Sequence, residues 1–290
     1  MTVLPPTPPS RPPPRATLHF VAAAEPVPRY CRQVRLWAWS LRRRAGVFAG
    51  EPITVTFNGT ADAATARRLE TDLQARVCVR PRLFADHREA NKYNALFAPG
   101  LNAADWVVLT DCDVVCAAAL DALPERLGGA AFGAVSDGVP PAPRRRGRRR
   151  PVSRYERLLR DLAGLDPSAL ARHRHPDFDR QPPYTGYPYF NGGVLAIRGR
   201  VLPAFRETVI RLTRAIHNHV RPAPARLDRC LVRAWNDLWY RRPAADRLSI
   251  GWHLRPRYAD QAALLPAVLA LGLPYRVLPH AFNWRFAAMG

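Results

Sequence analysis

Short apolar runs alternate with helix-like stretches along the chain, and this alternation constrains the fold more than any other feature. Residues 106–109 are apolar at every position, which is typical of a strand buried on both faces. Ahead of them, Tyr30, Val34, Trp37 and Leu41 recur at helical spacing. Buried strands separated by helices favour an α/β fold with a mainly parallel central sheet flanked by helices.

The same patterns predict the individual elements. Strands are expected at 17–22, 53–57, 77–79, 106–109, 131–135, 194–197 and 275–278. Helices are expected at 30–41, 61–75, 88–97, 155–162, 202–216, 227–239 and 261–271.

Composition predicts how the chain is organised. Seven prolines in residues 1–15 predict a disordered tail, and residues 16–290 are expected to form one domain with a loop-rich second half, 138–290. No apolar run reaches the ~18–20 residues of a membrane-spanning helix, and the first residues lack the apolar core of a signal peptide. Five scattered cysteines without a C-x-x-C pair favour neither a disulfide framework nor a zinc ribbon. A cytoplasmic protein is therefore expected.

The net charge of +21 is the unusual feature of the composition. Such a charge is typical of proteins that bind nucleic acids or anionic membranes. However, 43 of the 44 basic residues are arginines and the single lysine is Lys92, as GC-rich coding DNA would produce. We therefore expect no specific nucleic-acid binding. Six arginines at 144–150 lie in a predicted surface loop, 139–151, where peripheral contact with the inner face of an anionic membrane stays an alternative.

An Asp-x-Asp sequence follows the most apolar predicted strand. The strand period of two predicts that the carboxylates of Asp111 and Asp113 lie on one side of the chain and Cys112 on the other. Open α/β sheets bind ligands at the carboxyl ends of their strands, and two hard oxygen ligands there suit Mn²⁺ or Mg²⁺ carrying phosphate. A capping or turn role at the end of the strand is the alternative.

Further segments occur in a fixed order around this strand. They are Asn91-Lys92-Tyr93, Phe190-Asn191-Gly192-Gly193-Val194, Asp260-Gln261 ahead of an apolar helix, and Leu278-Pro279 followed by Asn283. Together with the Asp-x-Asp strand they resemble the GT-A-fold, Rossmann-like glycosyltransferases of family 8, the glycogenin and lipopolysaccharide galactosyltransferase group. The resemblance covers roughly residues 17–285 and is that of a divergent bacterial relative.

This resemblance implies a metal-dependent hexosyltransferase that uses a nucleotide-diphosphate sugar, expected to be a UDP-sugar, with Mn²⁺ or Mg²⁺ and with retention at the anomeric carbon. Residues 16–137 would bind the nucleotide, and residues 138–290 would bind the acceptor, a glycan, lipid or protein. The implied residue roles are metal ligation by Asp111 and Asp113, donor binding by Lys92, Asp111, Asn191, Gly192, Gly193 and Asn283, and catalysis at the reacting centre by Asp260 and Gln261.

Departures from the family pattern leave alternatives open. The family's third metal ligand is a histidine in a C-terminal His-x-x-Gly-x-x-Lys-Pro-Trp segment, and neither His253 nor His280 lies in a matching motif. Asp260 is also a suitable helix N-cap, and Asn191 could cap a turn. At the level of function, the alternatives are a sugar-nucleotide nucleotidyltransferase, which would need a glycine-rich loop after the first strand, and a non-enzymatic polyanion-binding protein.

Overall fold

A seven-stranded sheet forms the centre of the structure, a computed structural model that describes residues 15–136, 154–166, 173–175, 184–186, 188–220 and 259–282. The predictions for residues 1–14, the basic loop at 139–151, the helix at 227–239 and Asn283 lie outside the described residues. The strands of the large sheet are β1 (Leu18–Ala24), β2 (Ile53–Asn58), β3 (Ala75–Arg80), β4 (Trp106–Thr110), β5 (Phe132–Ser136), β8 (Phe190–Arg198) and β9 (Tyr275–Leu278). A separate antiparallel pair is formed by β6 (His173–His175) and β7 (Tyr184–Gly186).

The strand order in the large sheet is β3-β2-β1-β4-β8-β5-β9. Strands β1 to β4 run parallel to their neighbours in this group, and β5 runs parallel to β9. Between the two groups, β8 runs antiparallel to both β4 and β5. The prediction of a mainly parallel sheet is confirmed, and a strand from the second half of the chain lies inside it.

Helices flank this sheet close to the predicted positions. The segment predicted as an α-helix at 88–97 instead forms a 3-10 helix, Glu89–Phe97. Residues 90–96 are all buried there, and the side chains of Asn91 and Asn94 bond to the backbone of Phe84 and Pro81, which ties the segment into the interior. The α-helices are α1 (Pro28–Arg44), α2 (Ala63–Leu73), α3 (Leu123–Leu127), α4 (Arg154–Ala163), α5 (Leu202–Val220), α6 (Ala259–Ala262) and α7 (Leu264–Ala270).

Both faces of the sheet are covered. Alternate residues of β4 point to opposite sides, so that Trp106 and Val108 pack with α1 while Val107 and Leu109 pack with α5 and α7. Consecutive β4 residues are therefore all buried, as their uninterrupted apolar sequence predicted. No helix among the described residues is both long and apolar enough to cross a bilayer.

Candidate active site

A cleft of about 330 Å³ opens at the carboxyl ends of the parallel strands. It is lined by Ala24 at the end of β1, Asn58 at the end of β2 and Asp111 directly after β4. In the sheet, β2 lies on one side of β1 and β4 lies on the other, so the cleft lies where the strand order reverses. Open α/β sheets bind their ligands at this position.

Lys92 is the centre of a buried cluster beside the cleft. Its Nζ lies 2.8 Å from Asp260 Oδ2 and 3.4 Å from Asp111 Oδ1, and it donates a hydrogen bond of 3.2 Å to the carbonyl oxygen of Gly192. Two carboxylates and one carbonyl oxygen thus surround the ammonium group. Burial alone would lower the pKa of Lys92, but the Asp111 and Asp260 carboxylates outweigh it and raise that pKa above its usual value. Lys92 is therefore a permanent cation.

The start of β8 forms one wall of this cluster. A Cβ atom at Gly192 would lie 2.2 Å from Lys92 Nζ and 3.4 Å from Gln261 Cγ, so only glycine leaves room for the ammonium. The carbonyl oxygen of Gly193 accepts a hydrogen bond of 2.9 Å from the Asp111 backbone. Asn191 lies in β8, and its Oδ1 accepts one of 2.8 Å from the Gly193 backbone.

The Asp-x-Asp sequence forms a turn instead of extending β4. The strand ends at Thr110, and the carbonyl oxygen of Asp111 accepts a hydrogen bond of 3.2 Å from the Val114 backbone. The predicted alternation of sides is therefore wrong, because the period of two ends with the strand, and Asp111, Cys112 and Asp113 all line the cleft. Burial and the two neighbouring carboxylates raise the pKa of Cys112 to about 12, so its thiol stays protonated.

Asp260 is positioned from two directions. It lies inside α6, and its side chain pairs with Lys92, so the N-cap alternative does not hold. Its Oδ1 is buried and has no hydrogen-bond partner among the described residues. The Tyr93 hydroxyl donates a hydrogen bond of 2.8 Å to the backbone carbonyl of Asp260. Burial and the Asp260 carboxylate raise the pKa of Tyr93 well above its ordinary value, which keeps this hydroxyl a donor.

Several residues that line the cleft were missed by sequence reasoning. Glu25 is buried and accepts a hydrogen bond of 3.1 Å from Arg82 Nε, and the Arg88 guanidinium lies 5.3 Å from the centre of the Tyr30 ring. Asn58 directly follows the predicted strand 53–57, which is a signal that could have found it. Glu25 comes three residues after the predicted strand 17–22 and directly follows only the observed β1. Tyr30 and Arg88 stand near the start of predicted helices and carry no distinguishing motif. Gln261 lines the cleft as the resemblance implies.

The charge of the cleft suits a divalent cation. The charged residues that line it are five carboxylates and two cations, which leaves a formal excess of three negative charges: Glu25, Glu89, Asp111, Asp113 and Asp260 against Arg88 and Lys92. Burial raises the pKa of Asp111, and the Asp260 and Asp113 carboxylates add to this effect. The Lys92 ammonium acts in the opposite direction but does not outweigh them. Among the described residues, no set of three or more His, Cys, Asp or Glu side chains could hold a metal ion. Asp111 and Asp113 are the carboxylates that could hold a hard cation, which would need its remaining ligands from elsewhere.

Comparison with known proteins finds distant structural likenesses. Mouse xyloside xylosyltransferase 1 is 15% identical, with 91% of this chain and 85% of that chain covered and a TM-score of 0.42. The glycosyltransferase GlyE of Streptococcus pneumoniae TIGR4 is 16% identical, with 93% of this chain and 47% of that chain covered and a TM-score of 0.46. The bifunctional glycosyltransferase WbbM is 15% identical, with 71% and 36% covered and a TM-score of 0.39.

The chain thus spans about half the length of GlyE and about a third of WbbM. No protein-family model and no curated protein matches the sequence. Likenesses of this extent do not assign an activity to the chain.

Proposed function

We propose that this chain is a glycosyltransferase that moves a hexose from a UDP-sugar to an acceptor, with retention at the anomeric carbon and with Mn²⁺ or Mg²⁺ as its metal. The observation that carries the proposal is the cluster of Lys92, Asp111 and Asp260 at the carboxyl ends of β1, β2 and β4. A cleft at this position, with cation-binding carboxylates at one point and an unpaired buried carboxylate oxygen at another, suits a ligand that carries both phosphates and hydroxyl groups.

Asp260 is the residue proposed to bind the sugar. A buried acceptor without a partner costs free energy, and a hydroxyl group of a hexose would satisfy Asp260 Oδ1. Gln261 lines the same part of the cleft and would add amide hydrogen bonds to the sugar.

Lys92 has a positioning role in this proposal. Because Lys92 forms ion pairs with Asp260 and Asp111 and donates a hydrogen bond to the Gly192 carbonyl, it would orient the two carboxylates at the wall of the cleft. The glycines at 192 and 193 let the backbone of β8 approach the site closely.

Asp111 and Asp113 would hold the metal together with the diphosphate of the donor. A divalent cation there would stabilise the negative charge that develops on the leaving nucleotide diphosphate. Asp113 is exposed at the cleft, so its carboxylate is accessible to such a cation.

Thermal unfolding tests the proposal. A UDP-sugar with Mn²⁺, at about 100 times its Kd, is expected to stabilise the protein by about 2.7 kcal/mol, which raises the Tm by roughly 5 °C or more. The shift should require both the nucleotide sugar and Mn²⁺ and should be lost in Asp113→Ala. In Asp260→Asn, the UDP-sugar should stabilise no more than UDP does. Glu70→Ala removes one exposed acidic group from α2 and serves as the matched control.

The competing functions give different results. Equal stabilisation by heparin or polyphosphate that survives Asp113→Ala would contradict the transferase and favour a polyanion-binding protein. Slow hydrolysis of the donor with Mn²⁺, followed by proton NMR, would show whether the released sugar keeps its anomeric configuration; inversion would contradict the proposed stereochemistry alone.

A further inference from the structure

The outer face of α1 carries a stripe of side chains that the proposed reaction does not use. The inner face of this helix packs into the core through residues such as Val34, Trp37 and Leu41. The opposite face is exposed, and its residues follow at alternating intervals of three and four, which places them in one line along the helix. This outer stripe consists of Arg29, Arg32, Leu36, Trp39 and Arg43.

The apolar members of the outer stripe are unusual for a solvent-facing helix. Leu36 is 51% exposed and Trp39 is 46% exposed, and Val47, in the turn that follows α1, is 54% exposed. Among the described residues, these are three of five large apolar side chains with this degree of exposure. A codon bias toward arginine explains neither a leucine nor a tryptophan at these positions.

The charge of the helix is of one sign. The sequence of α1 contains six arginines and no acidic residue, and three of the arginines lie in the outer stripe. Tryptophan and leucine flanked by arginine on one face of a helix are typical of helices that bind the surface of anionic bilayers. In such helices the apolar side chains enter the headgroup layer, and the guanidinium groups contact lipid phosphates.

We propose that the outer stripe of α1 binds the surface of an anionic phospholipid bilayer, with Leu36 and Trp39 in the headgroup region and Arg29, Arg32 and Arg43 on lipid phosphates. The helix would lie in the plane of the membrane over its length of roughly 25 Å. Since Tyr30, in the first turn of α1, lines the cleft, one end of the membrane-bound helix lies beside the cleft.

Flotation with large unilamellar vesicles tests this binding on the full chain, without any substrate. Vesicles of phosphatidylcholine with phosphatidylglycerol are compared with vesicles of phosphatidylcholine alone. The protein is expected to bind only the anionic vesicles. Two variants test the outer stripe: Leu36→Ser/Trp39→Ser, and Arg29→Gln/Arg32→Gln/Arg43→Gln.

The apolar variant is expected to bind about tenfold more weakly, and the arginine variant on the order of 100-fold more weakly. Matched controls replace exposed apolar residues by Ser, or exposed arginines by Gln, at positions outside the outer stripe. If the outer stripe is the docking surface, the vesicle affinity of these controls should stay within about twofold of that of the unmodified protein. Circular dichroism of each variant verifies that the fold is retained. The controls are Val79→Ser/Val115→Ser and Arg67→Gln/Arg68→Gln/Arg126→Gln.

Four results would overturn the proposal. The first is no binding to anionic vesicles. The second is an equal loss in the arginine controls, which would show a diffuse attraction by the whole charge of the chain. The third is loss of binding when the six arginines at 144–150 are replaced by Gln, with α1 variants unaffected. The fourth is a dimer in sedimentation velocity that Leu36→Ser/Trp39→Ser dissociates, which would assign the outer stripe to a second copy of this chain.

Discussion

At the scale of the residue, the structure gives a physical reason for the single lysine of the chain, Lys92. Every other basic residue is an arginine, and the tertiary structure surrounds this lysine with Asp260, Asp111 and the carbonyl of Gly192. A compact ammonium can donate in three directions, whereas the planar fork of arginine is larger and donates within one plane. The retained lysine therefore fits a site that arginine does not.

Gly192→Ala is predicted to weaken donor binding more than it weakens the fold. The new Cβ would lie 2.2 Å from Lys92 Nζ, so the ammonium must move away from its carboxylates. We expect the Kd for a UDP-sugar to rise by about tenfold or more, with a loss of about 1–2 kcal/mol in the free energy of unfolding. Titration calorimetry and urea unfolding measure the two quantities.

Gly129→Ala is the control for this substitution, because a Cβ at Gly129 has no neighbour within 4 Å. It should change the free energy of unfolding by less than about 0.5 kcal/mol and leave the Kd unchanged. Unaltered donor affinity in Gly192→Ala would show that the position of Lys92 is not needed for binding.

At the scale of the element, local patterns predicted the seven strands of the large sheet within a few residues, but they missed β6, β7 and α3, and one helix type was wrong. The segment at 88–97 has helical spacing, but its winding as a 3-10 helix depends on partners far away in sequence. Asn94 donates to Asn58 in β2, and Tyr93 donates to Asp260 in α6. No local pattern contains these contacts.

Arg42 joins α1 to two neighbouring segments. Its guanidinium donates to the backbone carbonyls of Leu73 and Gln74, at the end of α2, and to those of Ala49 and Glu51, ahead of β2, at distances of 2.7–3.0 Å. Four carbonyls satisfied by one planar group explain why this arginine is partly buried while its neighbours on the helix are exposed.

Arg42→Met is predicted to lower the free energy of unfolding by about 3 kcal/mol, because several carbonyls lose a charged donor. Arg43→Met removes the same group from the exposed side of the same helix and should cost less than about 0.5 kcal/mol. Urea unfolding of both variants makes the comparison. Similar losses in the two would mean that the charge of α1, and not the contacts of Arg42, stabilises the fold.

His19 makes the contact between β1 and β2 sensitive to acid. Its Nε2 lies 2.8 Å from Thr54 Oγ1, and burial, with a smaller effect of Arg76, lowers the pKa of His19 from 6.5 to about 4. Between these pH values the unfolded chain binds a proton that the folded protein does not. The stabilisation is therefore complete above about pH 6.5 and is lost as the pH falls toward 4.

His19→Gln is predicted to reduce this acid sensitivity. Between about pH 7.5 and about pH 5, the unmodified protein should lose about 2 kcal/mol more of its free energy of unfolding than the variant does. Urea unfolding of both proteins at both pH values measures these losses. The other titrating groups contribute equally to the two proteins, so their effect cancels when the losses are subtracted. An equal loss in both proteins would exclude His19 as the source.

At the scale of the whole molecule, the candidate site is assembled from segments far apart in the chain. Lys92 and Gly192 are 100 residues apart, and Tyr93 and Asp260 are 167 residues apart. The antiparallel strand β8 makes the first contact possible, because it enters the sheet beside β4 with Gly192 and Gly193 next to Asp111.

Tyr93→Phe is predicted to loosen this assembly. Loss of the hydrogen bond to the Asp260 carbonyl should lower the free energy of unfolding by about 1 kcal/mol and raise the Kd for a UDP-sugar about fivefold to tenfold. Ser40→Ala removes a buried hydroxyl that bonds to Trp37 and Cys116, none of which lines the cleft. It should lower stability by a similar amount without changing the Kd. An equal effect of both variants on the Kd would mean that Tyr93 acts through stability alone.

The sequence by itself determined the elements and the chemistry that was available to them. Apolar runs such as 106–109 favour strands that are buried on both faces, and the carboxylates of Asp111 and Asp113 follow this run closely along the chain. Tertiary structure decided which groups meet there. Three features depend on how distant segments pack: the pairing of Lys92 with Asp260, the turn at Asp111, and the exposure of Trp39 on a packed helix. Periodicity could not predict them, because it describes only neighbours along the chain.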